Sequence, residues 1–476
     1  LISSDKRNPT VNANGPLYGA TELSTAEMPV LDPVHNIKST LDMPTADPKN
    51  TPSSATANRV LAASPYFGTE QVWNSQVNAH SVTMDQDGRV WWTATTRAPT
   101  NAPAFCAKGG GNPSADYFPQ DQKQVGPANE PPYNAPFVQN ARQVTMYDPK
   151  TKKFSFVDTC FNTQHLNFAE DANNTLWLGG NTNGIRAVVG WVNTKMFLET
   201  GDAGKSQGWT PLIVDRVGDG KPHAWTEPGQ PSEPDKDVRL GLGYYAVAYS
   251  PADGSIWGSN LTYPGYIIRL APGSEPPRTA LTEVYKVPPP GFGIRGADVD
   301  RNGVVWVPLD SGHLGSFDRR KCKGPLNGPG AEQGNLCPEG WTFYPLPGPS
   351  FQGTSGAAES PYYTWVDQHD VLGLGDDVPL ITGNQSDSID ALVGGRMIQL
   401  TVPYPMGLFA KWIDGRIDDP NVGWKGRGLW VTSGNRTPAH IEGIDAPAPG
   451  APGTTLASLS SPLVFQFQMR PDPLAH

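Results

Sequence analysis

An all-β fold is what this sequence predicts, and three observations carry that expectation. The chain of 476 residues holds 52 Gly and 49 Pro, about a fifth of the total where ordinary usage is nearer an eighth. These residues break helix and central-strand interiors, so the chain must turn often. Its hydrophobic fraction is 37%, with 14 Trp, enough for a large core between those turns. Finally, a short pattern recurs. Asp85-Gln-Asp-Gly88-Arg-Val-Trp91 returns as Asp171-Ala-Asn-Asn174-Thr-Leu-Trp177, Pro251-Ala-Asp-Gly254-Ser-Ile-Trp257 and Asp300-Arg-Asn-Gly303-Val-Val-Trp306, with a weaker copy at Gly428-Leu-Trp430.

Asp or Pro followed three residues later by Gly or Asn is a tight-turn signal, and the aliphatic-Trp pair after it starts a strand. Each copy is therefore a hairpin. Short alternating strands precede the turns, as at 81–84 and 246–249, and a second hairpin follows downstream, most clearly from Met146 through Asp148-Pro-Lys to Phe156. Four strands per unit is the blade of a β-propeller. The gaps between the anchoring tryptophans are uneven, and several are about twice a blade of roughly 40–50 residues. We therefore expect a single propeller of six to eight blades, seven being the expected number, with long loop insertions.

In chain order, residues 1–64 carry Pro, Asn, Ser and Thr without sustained periodicity, and read as an extended N-terminal arm. Residues 65–476 form the propeller domain. Gly-, Pro- and Asn-rich insertions fall near 98–139 and 202–237, and 361–403 has room for a blade that lacks the Trp anchor. Val464-Phe-Gln-Phe-Gln-Met469 follows a Pro/Ala/Gly linker and reads as a closing strand, one that could complete a blade built mainly from the other terminus.

The net charge is −10, from 36 Lys+Arg against 46 Asp+Glu. That balance argues against nucleic acid and anionic membranes as partners and leaves a cationic or neutral small-molecule substrate. No window approaches eighteen consecutive apolar residues, so no membrane span is expected. The first residue, Leu1, reads as the start of a processed chain. Four cysteines lack any C-x-x-C pair, which suits disulfides better than a metal. The expected pairs are Cys106–Cys160 and Cys322–Cys337, placing the protein in the periplasm or outside the cell.

The eight histidines hold most of the chemical information. His80 and His165 stand shortly before turn residues Asp85 and Asp171, where an innermost strand would begin and face the central channel. His369, two residues after Asp367, and His440, two before Glu442, could face the same axis, and residues i and i+2 share a strand face. Neutral imidazole ligates zinc, copper and iron, so His80, His165, His369, His440 and Glu442 are candidate metal ligands. Asp367 and His369 are candidate catalytic residues, since a carboxylate can ligate, orient an imidazole or act as a base. Arg295 occupies the His80-equivalent position of its own unit, and Tyr244 or Tyr245 does so in another. Arg295 and Tyr245 would add a cation and a phenol for a carboxylate, lactone or developing enolate. His313, placed after its strand, reads as structural. The run from Asp215 to Asp219 resembles the opening of a calcium loop without its later ligands, which leaves only a weak Ca site there. Gly201-Asp-Ala-Gly-Lys-Ser206 lacks the spacing of a phosphate loop, and no G-x-S-x-G or H-E-x-x-H motif occurs.

The stretch from His80 to Thr93, His-Ser-Val-Thr-Met-Asp-Gln-Asp-Gly-Arg-Val-Trp-Trp-Thr, resembles the blade motif of the streptogramin lyase (virginiamycin B lyase) type of propeller, related to gluconolactonase-like propellers. Tyr285-Lys-Val-Pro288 and Tyr344-Pro-Leu-Pro347 are similar to outer-strand endings of that family. The resemblance covers roughly residues 70–435 as a repeat pattern. It implies a divalent metal held by His and Glu in the channel, with a nearby His as base opening an ester ring by elimination. Asp367-Gln-His369 is the only acid-x-His pair that would begin an inner strand, with Asp where the family has Glu. The expected function is a metalloenzyme (Zn, Cu, Fe or Mg) acting on a small organic molecule by elimination or ester/lactone opening. The alternatives are a copper- or iron-dependent oxidoreductase and a non-enzymatic binding or scaffold propeller.

Overall fold

The computed structural model describes residues 1–21, 25–53, 75–98, 101–120, 142–180, 183–184, 186–350, 352–404, 406–433 and 463–471. Among the described residues six successive sheets, antiparallel apart from the outer additions to blade 3, form the blades of a propeller, within the expected six to eight and one fewer than the expected seven. Blade 1 runs Val82–Met84, Val90–Ala94, Gln143–Asp148 and Lys153–Val157, from the inside outward. Blade 2 follows with His165–Phe168, Thr175–Gly179, Val189–Asn193 and Gln207–Thr210. Blade 3 is Val247–Tyr249, Ile256–Asn260, Tyr266–Ala271 and Leu281–Lys286, extended at its outer edge by the short strands Ile213–Val214, Asp237–Arg239 and Trp225–Thr226. Blade 4 is Asp298–Val299, Val305–Leu309, His313–Phe317 and Trp341–Pro345. Blade 5 is Thr364–Asp367, Val378–Gly383, Ser388–Val393 and Arg396–Thr401, and blade 6 is Ala410–Ile417, Arg427–Ser433 and Leu463–Phe467.

The recurring motif has a physical cause. Asp85 Oδ1 accepts the backbone N–H groups of Asp87 and Arg89, and its Oδ2 accepts the Trp91 indole N–H at 2.9 Å. Asp300 repeats this with Asn302, Val304 and Trp306. Asp171 takes the amides of Asn173 and Thr175. The residue three after each Asp has a left-handed backbone, with φ of 81° at Gly88, 51° at Asn174 and 80° at Gly303, which is why Gly or Asn stands there. The Asp thus closes the turn and moors the indole that fills the space between sheets.

Two segments differ from the sequence expectation. Gln207–Thr210, inside the stretch read as an insertion, is the outer strand of blade 2. The closing strand Leu463–Phe467 pairs with Arg427–Ser433 and completes blade 6, a blade made from neighbouring sequence rather than from the other terminus.

Within the expected arm, Leu17–Tyr18, Glu27–Asp32 and Ile37–Asp42 form a three-stranded antiparallel sheet. It packs through Tyr18 and Met28 against Val82, Met84 and Trp92 of blade 1, and Gly19 accepts the Trp92 indole N–H. On the other side Asp414 of blade 6 accepts the amides of Ser3 and Ser4 and the Ser3 hydroxyl. The N-terminal residues therefore join the last blade to the first.

Burial pushes the Asp414 carboxyl up to about 6, from an ordinary value near 3.9. The folded state then holds its proton more tightly than the unfolded state, so this group's contribution to stability declines as pH rises from about 4 to about 6 and stays low above that. Asp414→Asn should consequently raise Tm relative to the parent more at pH 7.5 than at pH 4.5. Melting both proteins at the two pH values checks this, and an equal difference would refute it.

Both expected disulfides are present, Cys106–Cys160 and Cys322–Cys337, and the described residues contain no free cysteine. Among the described residues no helix is long and apolar enough to cross a membrane.

Candidate active site

The inner strands of successive blades stand side by side around the axis. The residues at their starts meet at one mouth of the channel. His80 and His165 lie edge to face with ring centroids 5.0 Å apart. Ser81 Oγ sits between them, 2.9 Å from His80 Nδ1 and 3.4 Å from His165 Nδ1. The Gln164 amide nitrogen is 3.3 Å from His80 Nε2. With that amide donating, His80 carries its proton on Nδ1, gives it to Ser81 Oγ, and leaves the serine hydroxyl to donate to His165. His165 is buried and His80 half-buried, so the first faces the interior and the second the opening.

A second group continues from the first. The His165 ring packs on Tyr245, centroids 4.6 Å apart, and on Tyr363 at 5.7 Å. Tyr245 donates its O–H to the Tyr362 oxygen at 2.9 Å. Burial and the neighbouring Tyr362 phenol push the Tyr245 pKa far up, so it remains a neutral donor, with Arg295 opposing the shift. The Arg295 guanidinium lies 4.9 Å from the Tyr362 ring centroid and Lys411 Nζ 5.5 Å from it. Arg295 pairs with no carboxylate among the described residues, so its charge is available to an anion. Trp412 packs on Tyr363 at 4.7 Å and closes the wall.

The opposite end of the channel is filled by residues 5–7. Lys6 pairs with the buried Asp298 of blade 4. The Arg7 guanidinium donates to the Ala169 carbonyl and Asn174 Oδ1 of blade 2, is held by Asp5, and lies over the Phe168 ring at 4.6 Å. Thr83, Asn167, Tyr249 and Gln368, from four different blades, surround these residues.

The expected residues divide between these two ends. His80, His165, Tyr245 and Arg295 come together at the mouth. Asp367 and His369 do not, because they end the inner strand of blade 5 instead of beginning it. Asp367 accepts the amides of His369, Val371 and Leu372, and Asp370, three residues on, has φ 51°. This is the turn of Asp85, Asp171 and Asp300 without its tryptophan. The Asp367 carboxylate is spent on the turn, and burial pushes its pKa up to about 6. His369 stands at the filled end, its pKa lowered by burial and by the Arg301 charge. His440 and Glu442 lie outside the described residues. Tyr244 is core, with its O–H donated to the Ile256 carbonyl, and His313 is buried beside Ser311 and Phe343.

No three His, Cys, Asp or Glu side chains gather as metal ligands among the described residues. Two imidazoles joined through a serine do not by themselves make the three- or four-ligand shell expected of Zn, Cu or Fe. Of the five anticipated ligands the mouth brings together His80 and His165, while His369 stands at the other end and His440 and Glu442 lie outside the described residues. At the anticipated calcium loop, Asp215 accepts the amides of Gly218 and Gly220 and the Asn327 side-chain N–H, and Asp219 pairs with His223. Those oxygens face donors rather than a cation.

Sequence reasoning missed Ser81, Gln164, Tyr362, Tyr363, Lys411 and Trp412. For Tyr362 a signal existed: it precedes Asp367 by the same five residues that separate His80 from Asp85 and Arg295 from Asp300.

No protein-family model matches the sequence, and no curated protein matches it either. Solved structures do. Virginiamycin B lyase from Staphylococcus aureus is similar over 88% of this chain and 88% of its own, with a TM-score of 0.44 and 10% identity. A streptogramin B lyase structure covers 74% of this chain and 75% of its own at TM-score 0.39 and 12% identity. A protein from Lactobacillus plantarum covers 62% and 75% at TM-score 0.33 and 13% identity. The first two are the lyases whose blade motif the sequence resembles. Neither lends a residue role here, and the reading below stands on the side chains at the mouth.

Proposed function

We propose that this chain is a periplasmic or secreted propeller enzyme. It acts at the channel mouth on a small organic substrate that carries a carboxylate or an ester or lactone carbonyl. The observation that carries the reading is the unbroken line His80–Ser81–His165–Tyr245–Tyr362, with Arg295 and Lys411 beside its end. A base, a neutral phenol donor and cations converge at one end of the channel, which is the composition proton-transfer chemistry at a carbonyl requires.

In this reading substrate displaces the Gln164 amide from His80 Nε2, and that nitrogen removes a proton, either from the carbon next to the carbonyl or from an attacking water. Ser81 and His165 share the resulting imidazolium charge. Arg295 faces the oxyanion or enolate that forms, and Tyr362, polarised by the Tyr245 O–H, donates to the departing oxygen. The two disulfides support an oxidising compartment.

Arg295→Gln tests the cation's part. Against a panel of lactones and esters with and without a carboxylate, KM for the anionic members should rise by about tenfold or more, while neutral members change little. An equal effect on both classes would remove anion recognition from Arg295.

A further inference from the structure

The turn between Val378–Gly383 and Ser388–Val393 in blade 5 faces the segment leading into the inner strand. Two carboxylates are buried there, Glu359 at 5% exposure and Asp390 at 1%. Neither forms an ion pair among the described residues, and no basic group bears on Asp390, whose charged neighbour is Glu359 itself. Buried charge of one sign without a counter-charge is costly, and buried carboxylates are normally paired or hold a metal.

Oxygen atoms converge on this spot. Glu359 Oε2 is 2.9 Å from Ser386 Oγ, which is 2.9 Å from Ser388 Oγ and 3.3 Å from the Gly383 carbonyl oxygen. Ser388 Oγ is 3.1 Å from Asp390 Oδ1. Asp390 Oδ2 is buried with no hydrogen-bond partner within ordinary distance, although the Gln399 side-chain amide, which donates to Ser388 Oγ at 3.2 Å, also bears on the Asp390 carboxyl. Gly383 supplies an independent sign. Its backbone is not left-handed, so conformation does not demand glycine. A Cβ there would stand 2.4 Å from Ser388 Oγ, 2.5 Å from Ser386 Oγ and 3.1 Å from Asp390 Oδ2. The unpartnered oxygen and both hydroxyls are thus turned toward one point.

The geometry points to a binding site for a hard divalent cation, Ca²⁺, formed by Glu359, Asp390, Ser386, Ser388 and the Gly383 carbonyl. The set is all oxygen, which suits Ca²⁺ and not the metals that prefer nitrogen or sulfur. Its oxygen spacings are those of neighbouring ligands around an ion with bonds of about 2.3–2.6 Å. Mg²⁺ would keep several waters, whereas this site offers chiefly protein oxygens. The ion would neutralise the two carboxylates and fasten residues 359–360, just ahead of Tyr362 and Tyr363, to the turn. Glu359 Oε1 and Gln385 already bridge these segments through backbone amides.

The whole chain, stripped with EDTA and dialysed, is titrated calorimetrically with CaCl₂ and melted with and without it. One Ca²⁺ per chain and a Tm several degrees higher with the ion are expected. Asp390→Asn and Ser388→Ala should each weaken binding by at least about tenfold and remove the Tm shift. Absence of binding to the parent protein overturns the inference, whatever the variants do. Binding that persists undiminished in Asp390→Asn places the ion elsewhere, at Asp215 for instance, and overturns it too. Should Asp390→Asn not fold, Ser388→Ala makes the same comparison.

Discussion

His80→Ala is expected to lower kcat/KM by about 10²–10⁴-fold on whichever ester, lactone or carboxylate the enzyme turns over, the usual span for losing a general base. The loss should fall mainly in kcat, because His80 acts on a proton in flight more than on bound substrate. Its Tm should change little, since the ring is half-buried at the mouth and its partners are Ser81 and Gln164. His165→Ala should also reduce kcat, less severely, and should shift the pH at which activity rises, because it removes the imidazole that shares charge with His80 through Ser81. The measurement is a pH–rate profile for the parent and both variants. A His80→Ala enzyme with parental kcat would show that the reacting group is elsewhere.

Opening the Cys106–Cys160 disulfide is expected to produce the largest loss of stability. The bond closes 54 residues of chain, which corresponds to about 4 kcal/mol of denatured-state entropy, against about 3 kcal/mol for the 15 residues between Cys322 and Cys337. It also holds the segment at 101–120 against blade 2. Asn112 donates there to the Gly204 and Gln207 carbonyls, and Ser114 Oγ accepts the Trp209 amide. The double variant Cys106→Ser/Cys160→Ser should unfold at clearly lower denaturant concentration than the parent. A midpoint equal to the parent's would mean that the packed segment, and not the bond, provides the stability.

Much of the fold was legible because it is local. A turn Asp, a left-handed Gly or Asn three residues later and an indole six residues later satisfy one another within a single hairpin, so the pattern marks each blade wherever it occurs. The disulfides were legible for a related reason, each joining cysteines that are neighbours in the sequence.

The site was legible only by halves. His80 and Arg295 stand five residues before their turns and His165 and Tyr245 six, and these positions at the starts of the inner strands bring them to one mouth. Asp367 and His369 misled because the blade 5 turn lacks its tryptophan and carries Asp370 where Gly or Asn is usual. The turn aspartate was therefore read as an acid beside a histidine. Tyr362 is invisible until that turn is recognised. Other contacts depend on closure of the whole ring and leave no local trace. Lys6 reaches Asp298 across 292 residues of sequence, and Asp414 reaches Ser3 across 411.

The location of the active site is tested most directly by nuclear magnetic resonance of the histidine rings. A turned-over substrate's carboxylate product is titrated into the protein while the ring signals of His80, His165, His313 and His369 are followed. Saturable shifts at His80 and His165, with His313 and His369 unmoved, are the expected result. Shifts at His369 with His80 and His165 silent would place the site at the end filled by Lys6 and Arg7 and contradict the account.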